Sequence, residues 1–363
     1  MRLDDGTLGT EVTDDVQYEL PFGPLGDAVH ALVVRGRLER IFAHRRRRAA
    51  LLLAPRMHRN DPLRVAVAGG SGFVGSAVAA ELHRRGESVS VLTHRPERAA
   101  ALLPDGIAVR AADVSDAASL APALRGIDAL VVSLAFPNSP MENPRRGHTF
   151  EAVDAQGTVR LVAAAVAAGV RRIVYVSGAG AAPDAARSWF RAKWRAEQAV
   201  RGSGIAFTII RPTWVYGPGD VALNRFLWFA RTLPFVPLTG WGSQRLAPVF
   251  VDDVAALAAD ALRNDAARDQ VFEIGGPQTL TMRGVIGVAL RVAGLRRLIL
   301  PAPAALLKVV AWPLQLLPSP PLTPDAVDFI NQPAEVDTAP LLARMPRRLT
   351  PLAEGLGTYV DAR

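Results

Sequence analysis

A cluster of glycines has a spacing that could bind phosphate groups. The stretch AGGSGFVG at 68–75 fits both G-x-G-x-x-G and G-x-x-G-x-x-G. Its glycines are Gly69, Gly70, Gly72 and Gly75, and Ser71, Phe73 and Val74 lie between them. An apolar run precedes the cluster and a helical pattern follows it, so backbone N–H groups and a helix N-terminus could meet a pyrophosphate there. This placement favours a dinucleotide site over a flexible loop.

The residues after the next apolar run suit a cofactor with an additional phosphate. An acidic side chain at this point would accept hydrogen bonds from a ribose 2′-hydroxyl, whereas a cation would bind a 2′-phosphate. The stretch VLTHRPERAA places His94, Arg95 and Arg98 there, and its first carboxylate is Glu97. The pattern favours NADP(H) over NAD(H). The alternative is that these arginines are exposed residues at the start of a helix.

Further candidate cofactor contacts follow the third and fourth apolar runs. Asp113, in AADVSD, stands where a carboxylate could accept a hydrogen bond from the adenine amino group. Asp113 or Ser115 could equally cap the following helix. Val114, Leu134 and Ala135 are the other contacts that we predict along this edge.

A lysine in the stretch WFRAK at 189–193 is unusual for this chain. Lys193 is one of two lysines, the other being Lys308, although Lys and Arg together number 42. An ammonium is a compact point charge on a flexible stem, whereas a guanidinium is planar, so the two are not interchangeable. The sequence therefore indicates a task at position 193 that arginine would perform poorly.

Alternating strand and helix patterns position these residues. From residue 62 onward, apolar runs of strand length alternate with helical patterns through RRIVYVSGAG at 171–180. Among them we predict a strand over Ser88–Thr93 and a long helix over AQGTVRLVAAAVAAG at 155–169. Such alternation predicts βαβ units on a parallel sheet covered on both faces, that is, a doubly wound α/β fold. We predict this domain over 62–218 and a smaller C-terminal lobe over 219–363, which forms the other wall of a cleft. Residues 1–61 are predicted to be an extension with one strand and one helix.

Composition narrows the function classes. The chain has no cysteine, which excludes disulfides, thiolate metal ligands and cysteine nucleophiles and suits a reducing compartment. We expect no metal site. The acidic start MRLDDGTLGTEVTDD lacks the apolar region of a secretory signal, so we expect an intracellular, cytoplasmic protein, with peripheral contact to a membrane or a protein complex left open.

The positive charge has two interpretations. The formal net charge is +8, and the densest run is HRRRR at 44–48, without interleaved aromatic residues. A solvated helix face is favoured over binding of nucleic acid, which we do not expect. The stretch at 298–317 has the length of a membrane span, but its prolines and Lys308 favour a buried or interfacial helix broken by prolines.

Several motifs together resemble a known superfamily. VAVAGGSGFVG, VDAQGTVRLVAAAVAAG, FRAKWRAEQAV, TIIRPTWVYGPGD and PVFVDDVA occur in the order typical of extended or atypical short-chain dehydrogenases/reductases, over residues 62 to about 355. The likeness is greatest to the atypical branch that includes the NADPH-binding accessory subunit of respiratory complex I. YELPFGPLG and RLERIFAHRRR in the N-terminal extension resemble the tail of a helix-grip module of the cyclase/dehydrase type.

The resemblance implies roles for particular residues. In the superfamily a Tyr-x-x-x-Lys pair and a nearby serine handle the substrate proton, and the lysine holds the nicotinamide ribose. Lys193 matches the lysine and Ser177 is the candidate serine, while Pro212 and Val215 match the segment that passes the nicotinamide. The tyrosine position is occupied by Trp189, whose indole N–H does not titrate near neutral pH.

Two functions remain in view. The first is an NAD(P)-dependent oxidoreductase or epimerase-like enzyme acting on a small molecule, with the proton supplied by water or with an acceptor that needs no positioned acid, such as a quinone-like or conjugated compound. The second is a non-catalytic NADPH-binding protein with a structural, assembly or redox-sensing role. The missing tyrosine argues against ordinary carbonyl reduction.

Overall fold

Strand and helix patterns alternate in the computed structural model as the sequence predicts. The structure describes residues 57, 59–100, 103–136, 142, 144–314, 324, 327–328, 331–332 and 334–360. The strand and helix predicted within 1–56, and their resemblance to a helix-grip module, lie outside these residues.

Seven strands form the central sheet, in the order β11-β6-β5-β4-β1-β2-β3, and every neighbouring pair is parallel. The strands are β1 Arg64–Ala68, β2 Ser88–Thr93, β3 Ala108–Ala111, β4 Ala129–Val132, β5 Arg172–Val176, β6 Ala206–Pro212 and β11 Gln270–Ile274. The predicted doubly wound α/β fold is confirmed, since parallel strands joined by helices must be covered on both faces.

Helices follow the strands in turn. They are α1 Phe73–Arg84, α2 Pro96–Ala100, α3 Ala117–Ala123, α4 Gly157–Ala167, α5 Ser188–Arg201, α6 Val221–Thr232, α7 Val251–Arg263, α8 Met282–Val292, α9 Ala304–Leu314, α10 Ala339–Arg344 and α11 Leu352–Gly357. A short π-helical stretch, Glu151–Gln156, precedes α4. The sequence pattern predicted a continuous helix from 155 and did not indicate this stretch.

The core has two layers, one on each side of the sheet. Along β1, Val65 and Val67 belong to one buried cluster, whereas Ala66 and Ala68 belong to the other, because successive side chains of a strand point to opposite faces. Helices α1 and α7 contribute to the first cluster, and α3, α4 and α5 to the second. The carboxyl ends of the strands stay open for a ligand.

The chain beyond residue 218 contributes to the central sheet and also forms small strand pairs. Strand β11 lies at the sheet edge beside β6. The remaining strands are β7 Val215–Tyr216, β8 Phe235–Thr239, β9 Arg245–Leu246, β10 Val249–Phe250, β12 Leu280–Thr281 and β13 Leu298–Ala302. They form the pairs β7–β10, β9–β12 and β8–β13. The domain boundary at 218 stays a prediction, and β11 returns across it into the central sheet.

The apolar stretch at 298–317 differs from the expected proline-broken helix. Its first five residues form β13, which pairs in parallel with β8, and α9 begins after Pro303. Proline lacks an N–H, so Pro301 is tolerated in a two-stranded pair and Pro303 precedes a helix start. Within the described ranges, no helix has the length and apolar character needed to cross a bilayer.

Candidate functional site

A cleft of about 320 Å³ opens at the carboxyl ends of the central strands. Seven of the predicted site residues line it: Val74, Leu134, Ala135, Ser177, Lys193, Pro212 and Val215. The glycine loop lies at the end of β1, and His94, Arg95, Asp113 and Val114 follow β2 and β3, which are the next strands in the sheet. The predicted site residues therefore lie along one edge of the sheet.

The glycine loop leaves room only for backbone. Gly69 has φ +76°, and a Cβ on it would overlap the carbonyl oxygen of Ser133. A Cβ on Gly75 would overlap the carbonyl oxygen of Gly69, because α1 packs directly on the loop. Gly72 precedes α1 and makes no side-chain cap hydrogen bond, so the first N–H groups of the helix are available to a ligand. This cradle fits a dinucleotide pyrophosphate.

Phe73 and Val74 have different surroundings at the start of α1. The ring of Phe73 lies against Gly217 and Gly219, where a Cβ would meet it, and so holds the glycine loop against the segment that follows β7. Val74 lines the cleft. Of these two predicted contacts, Val74 therefore has a direct path to a ligand in the cleft, and Phe73 supports the loop.

The residues after β2 and β3 are accessible. His94 and Arg95 are exposed, and the backbone N–H of Arg95 donates to the Thr93 hydroxyl (3.1 Å). Asp113 accepts hydrogen bonds from the hydroxyl (2.6 Å) and the N–H (2.8 Å) of Ser115, and the hydroxyl bond in particular holds the pKa of Asp113 below its usual range. Helix α3 is capped by Asp116, so neither Asp113 nor Ser115 is its cap. The carbonyl of Val114 accepts from Arg160 (2.7 Å).

Lys193 is held by a buried carboxylate that the sequence did not reveal. Its Nζ lies 3.0 Å from Oδ1 of Asp154 and donates to the carbonyl of Leu134 at 2.5 Å. Asp154 is 1% exposed, and its Oδ2 accepts from the N–H of Phe136 at 2.7 Å. The π-helical stretch before α4 carries Asp154 to this point. Two of the three ammonium donors are thus used by the protein, and one is left for a ligand.

Ser177 lines the cleft, but its proton is directed away from it. The hydroxyl donates to Oε1 of the fully buried Glu197 at 2.6 Å. Glu197 also accepts two hydrogen bonds from Arg211, at 2.8 and 2.6 Å. The network links α5 to β5 and β6 directly below the cleft. A catalytic role for Ser177 stays a prediction, with its hydroxyl bound to a structural carboxylate.

Trp189 occupies the cleft wall one helical turn before Lys193. Its ring lies 5.6 Å from that of Phe190 and 5.9 Å from that of Phe150, and the guanidinium of Arg187 lies 5.9 Å from its centroid. Neither buried tyrosine near the site replaces the missing acid: burial raises the pKa of Tyr175 and of Tyr216 further above their ordinary value. The cleft therefore presents an aromatic surface at the position where the superfamily has its proton donor.

Other cleft residues come from parts of the chain that the motifs did not single out. They are mainly apolar, and include Trp214, Leu246 and Met282. Asp220 also lines the cleft, and it caps α6 by accepting from the N–H groups of Ala222 (2.9 Å) and Leu223 (2.8 Å). Burial raises its pKa to about 6. Asp154 had one sequence signal, in that it is the one carboxylate of the motif VDAQGTVRLV.

Comparison with known proteins agrees with this geometry. A family model described as NAD(P)H-binding matches residues 69–226, from the glycine loop into α6. A "(4-alkanoyl-5-oxo-2,5-dihydrofuran-3-yl)methyl phosphate reductase" of Streptomyces griseus is 31% identical over 239 residues, which are 63% of this chain and 74% of that protein. The chain therefore belongs to the same family as this reductase and covers most of its length.

Two further similarities are more limited, the first in the length that it covers and the second in sequence identity. The mitochondrial NADH dehydrogenase [ubiquinone] 1 alpha subcomplex subunit 9 of Arabidopsis thaliana is 37% identical over 114 residues, 31% of this chain and 28% of that protein. An NADPH-dependent quinone oxidoreductase of Escherichia coli, solved with NADPH, superposes with TM-score 0.64 at 23% identity, over 82% of this chain and 100% of that chain. The second similarity concerns the fold alone.

Fold, glycine cradle and relatives all lead to one assignment. The chain binds NAD(P)H, and the glycine loop at the end of β1 stays the predicted site for its pyrophosphate. It belongs to the NAD(P)-binding short-chain dehydrogenase/reductase superfamily, in its atypical branch, and is an oxidoreductase-like member of it.

Proposed function

We propose that the protein is an NADPH-dependent reductase of flat, conjugated acceptors of the quinone type. The observation that carries this proposal is the position of Trp189, which gives the cleft an aromatic wall beside Lys193 in place of a titratable hydroxyl. Bound NADPH would supply a hydride, and a proton from water would complete the reduction of a quinone to a hydroquinone. Such an acceptor needs no positioned acid, because it gains charge on a delocalised oxygen.

In this scheme the protein's own residues bind the cofactor and orient the acceptor. The glycine loop holds the pyrophosphate, and the remaining donor of Lys193 holds a ribose hydroxyl. Asp154 and the carbonyl of Leu134 fix the direction of that donor. Trp189, Trp214 and Met282 form apolar walls that exclude water and pack against a planar ring. The relative from Streptomyces griseus supports this acceptor class, since its name describes an unsaturated, carbonyl-bearing ring.

The preference for NADPH is part of the same proposal. His94 and Arg95 are exposed directly after β2, and Arg98 is exposed one turn further on α2. Exposed cations at this point suit a 2′-phosphate. We expect NADPH to raise the melting temperature at lower concentration than NADH does. Arg95→Gln should weaken NADPH binding about tenfold, as loss of a hydrogen bond between charged groups would, and should leave NADH binding unchanged. Arg125→Gln, an exposed arginine elsewhere, is the control.

The reaction is tested with NADPH and a panel containing a naphthoquinone, an azo dye and a saturated ketone. We expect the wild type to oxidise NADPH with the naphthoquinone and to leave the ketone unreduced. Trp189→Phe should retain this activity, because it retains an aromatic wall, whereas Trp189→Tyr should gain ketone reduction. Lys193→Met should raise the KM for NADPH about tenfold or more.

Two results would contradict the proposal. Ketone reduction by the wild type would show that a proton donor exists elsewhere in the cleft. NADPH binding without turnover of any acceptor in the panel would favour the non-catalytic alternative, in which the nucleotide stabilises the fold by mass action.

A further inference from the structure

One face of the C-terminal part of the chain exposes large apolar side chains to solvent. Trp241 is 75% exposed, Val309 69% and Trp312 65%, and Leu298, Leu300 and Leu306 are also exposed. We call these six residues the apolar face. Large exposed apolar side chains in one region indicate a surface that is covered in use.

The apolar face is continuous in the fold. Strand β13 carries Leu298 and Leu300, two residues apart and therefore on one side of the strand. The N–H of Gly240 donates to the carbonyl of Ala302 at 2.8 Å, which brings Trp241 to the end of β13 where α9 begins. Leu306, Val309 and Trp312 follow at intervals of three residues and so share one side of α9.

Helix α9 has an apolar outer side. Its one charged residue, Lys308, pairs with Asp328 at 2.5 Å. A helix with apolar residues on its outer side is ordinarily buried or lies in an interface. A helix that faced only solvent would therefore not be expected to have this apolar outer side.

The charge around the apolar face is mainly positive, with Asp328 paired to Lys308 and Glu335 paired to Arg245. Residues 221–251 and 274–324, which contain β8, α8, β13 and α9, include seven arginines, one lysine and no aspartate or glutamate. Arg283, Arg291 and Arg296 are exposed, and the described part of the chain offers none of them an ion-pair partner. The Nε–H of the Arg283 guanidinium donates to the carbonyl of Trp241 at 3.5 Å, which places this arginine at the edge of the apolar face. Such a surface is complementary to an anionic one.

We propose that the apolar face docks on the surface of an anionic lipid bilayer, with α9 and β13 at the level of the headgroups and the arginines around them against lipid phosphates. Tryptophans at the boundary of an apolar surface and flanking arginines are the combination that interfacial proteins use. A second copy of the chain is a poorer occupant, because two such faces would bring like charges together. This proposal does not depend on the reaction catalysed.

The test is flotation of the full-length protein with vesicles of phosphatidylcholine alone or mixed with phosphatidylglycerol. We expect binding to the mixed vesicles that weakens as salt is raised, and little binding to phosphatidylcholine. Leu306→Glu with Val309→Glu should lower the partition coefficient at least tenfold, because two apolar side chains are replaced by anions. Arg296→Gln should lower it about fivefold.

Matched controls use exposed residues remote from the apolar face. Val159→Glu with Val166→Glu on α4, and Arg125→Gln after α3, should leave the partition coefficient unchanged. The thermal shift with NADPH should be that of the wild type in all variants, which shows that they fold. Absence of binding to the mixed vesicles, equal losses in test and control variants, or a stable dimer that Leu306→Glu with Val309→Glu dissociates would each overturn the proposal.

Discussion

The buried carboxylate of Glu197 supports the floor of the cleft. It accepts the Ser177 hydroxyl and two hydrogen bonds from Arg211, whose side chain is 16% exposed. Glu197→Gln would leave the guanidinium without its main counter-charge, since Glu273 lies 3.7 Å away and is partly exposed. We expect the free energy of unfolding in urea to fall by about 3 kcal/mol, at the lower end for a broken buried ion pair.

The control for this residue is a surface pair of similar geometry. Glu354 accepts two hydrogen bonds from Arg348, and both side chains are exposed. Glu354→Gln should leave the urea midpoint nearly unchanged, because exposed ion pairs contribute little to stability. Equal effects of the two substitutions would show that burial does not determine the strength of the Glu197 pair.

At the scale of elements, helix α1 and the glycine loop fit together only because Gly75 has no side chain. In Gly75→Ala the new Cβ would overlap the carbonyl oxygen of Gly69 and push the helix away from the loop. We expect the melting-temperature increase with NADPH to be lost, since the loop is the predicted cradle for the pyrophosphate.

Gly287→Ala in α8 is the matched substitution. Nothing lies within 4 Å of the Cβ that it adds, and the residue is inside a helix. This change should stabilise the protein by about 0.5–1 kcal/mol, because alanine has the higher helix propensity, and should retain the response to NADPH. A retained response in Gly75→Ala would refute the role that we give to the loop.

At the scale of the whole molecule, two kinds of carboxylate change the free energy of unfolding in opposite directions as pH rises. Burial raises the pKa of Asp220 to about 6, so the folded state holds an extra proton between about pH 4 and pH 6. The free energy of unfolding that depends on Asp220 therefore falls as pH rises through this window. Two pKa units correspond to about 3 kcal/mol.

Paired carboxylates act in the other direction. Burial alone would raise the pKa of Glu87, but its hydrogen bonds with Arg263 and with the N–H of Leu63 lower it below its usual range. Hydrogen bonds from Arg64 lower the pKa of Asp128 in the same way. Their contributions are present above the pKa values of the unfolded chain and are lost as pH falls below about 4.

The prediction is measured with Asp220→Asn. Urea unfolding of wild type and variant from about pH 4 to about pH 7 should show the variant gaining about 2 to 3 kcal/mol relative to the wild type as pH rises, because asparagine does not titrate. Both proteins should lose stability below about pH 4. A difference between them that does not vary with pH would mean that Asp220 ionises normally in the folded state.

Local patterns in the sequence predicted much of this architecture. Strand β2 has the predicted bounds, Ser88–Thr93, and the glycine loop lies between β1 and α1 as expected. These features depend on residues close together in the chain, where spacing and periodicity are direct consequences of strand and helix geometry. The positions of Lys193 and Trp189 on one helix are of the same kind.

The sequence by itself determined the parallel α/β fold, the place of the glycine loop between β1 and α1, and the absence of a tyrosine four residues before Lys193. Only the tertiary structure decided that Asp154 pairs with Lys193, that Ser177 donates to Glu197, and that α9 turns apolar side chains outward. Such pairings join residues on different elements, and they depend on how helices pack against the sheet. The π-helical stretch before α4 carries Asp154, and the strand β13 that leads into α9 pairs with β8; neither feature has a periodic signal in the sequence.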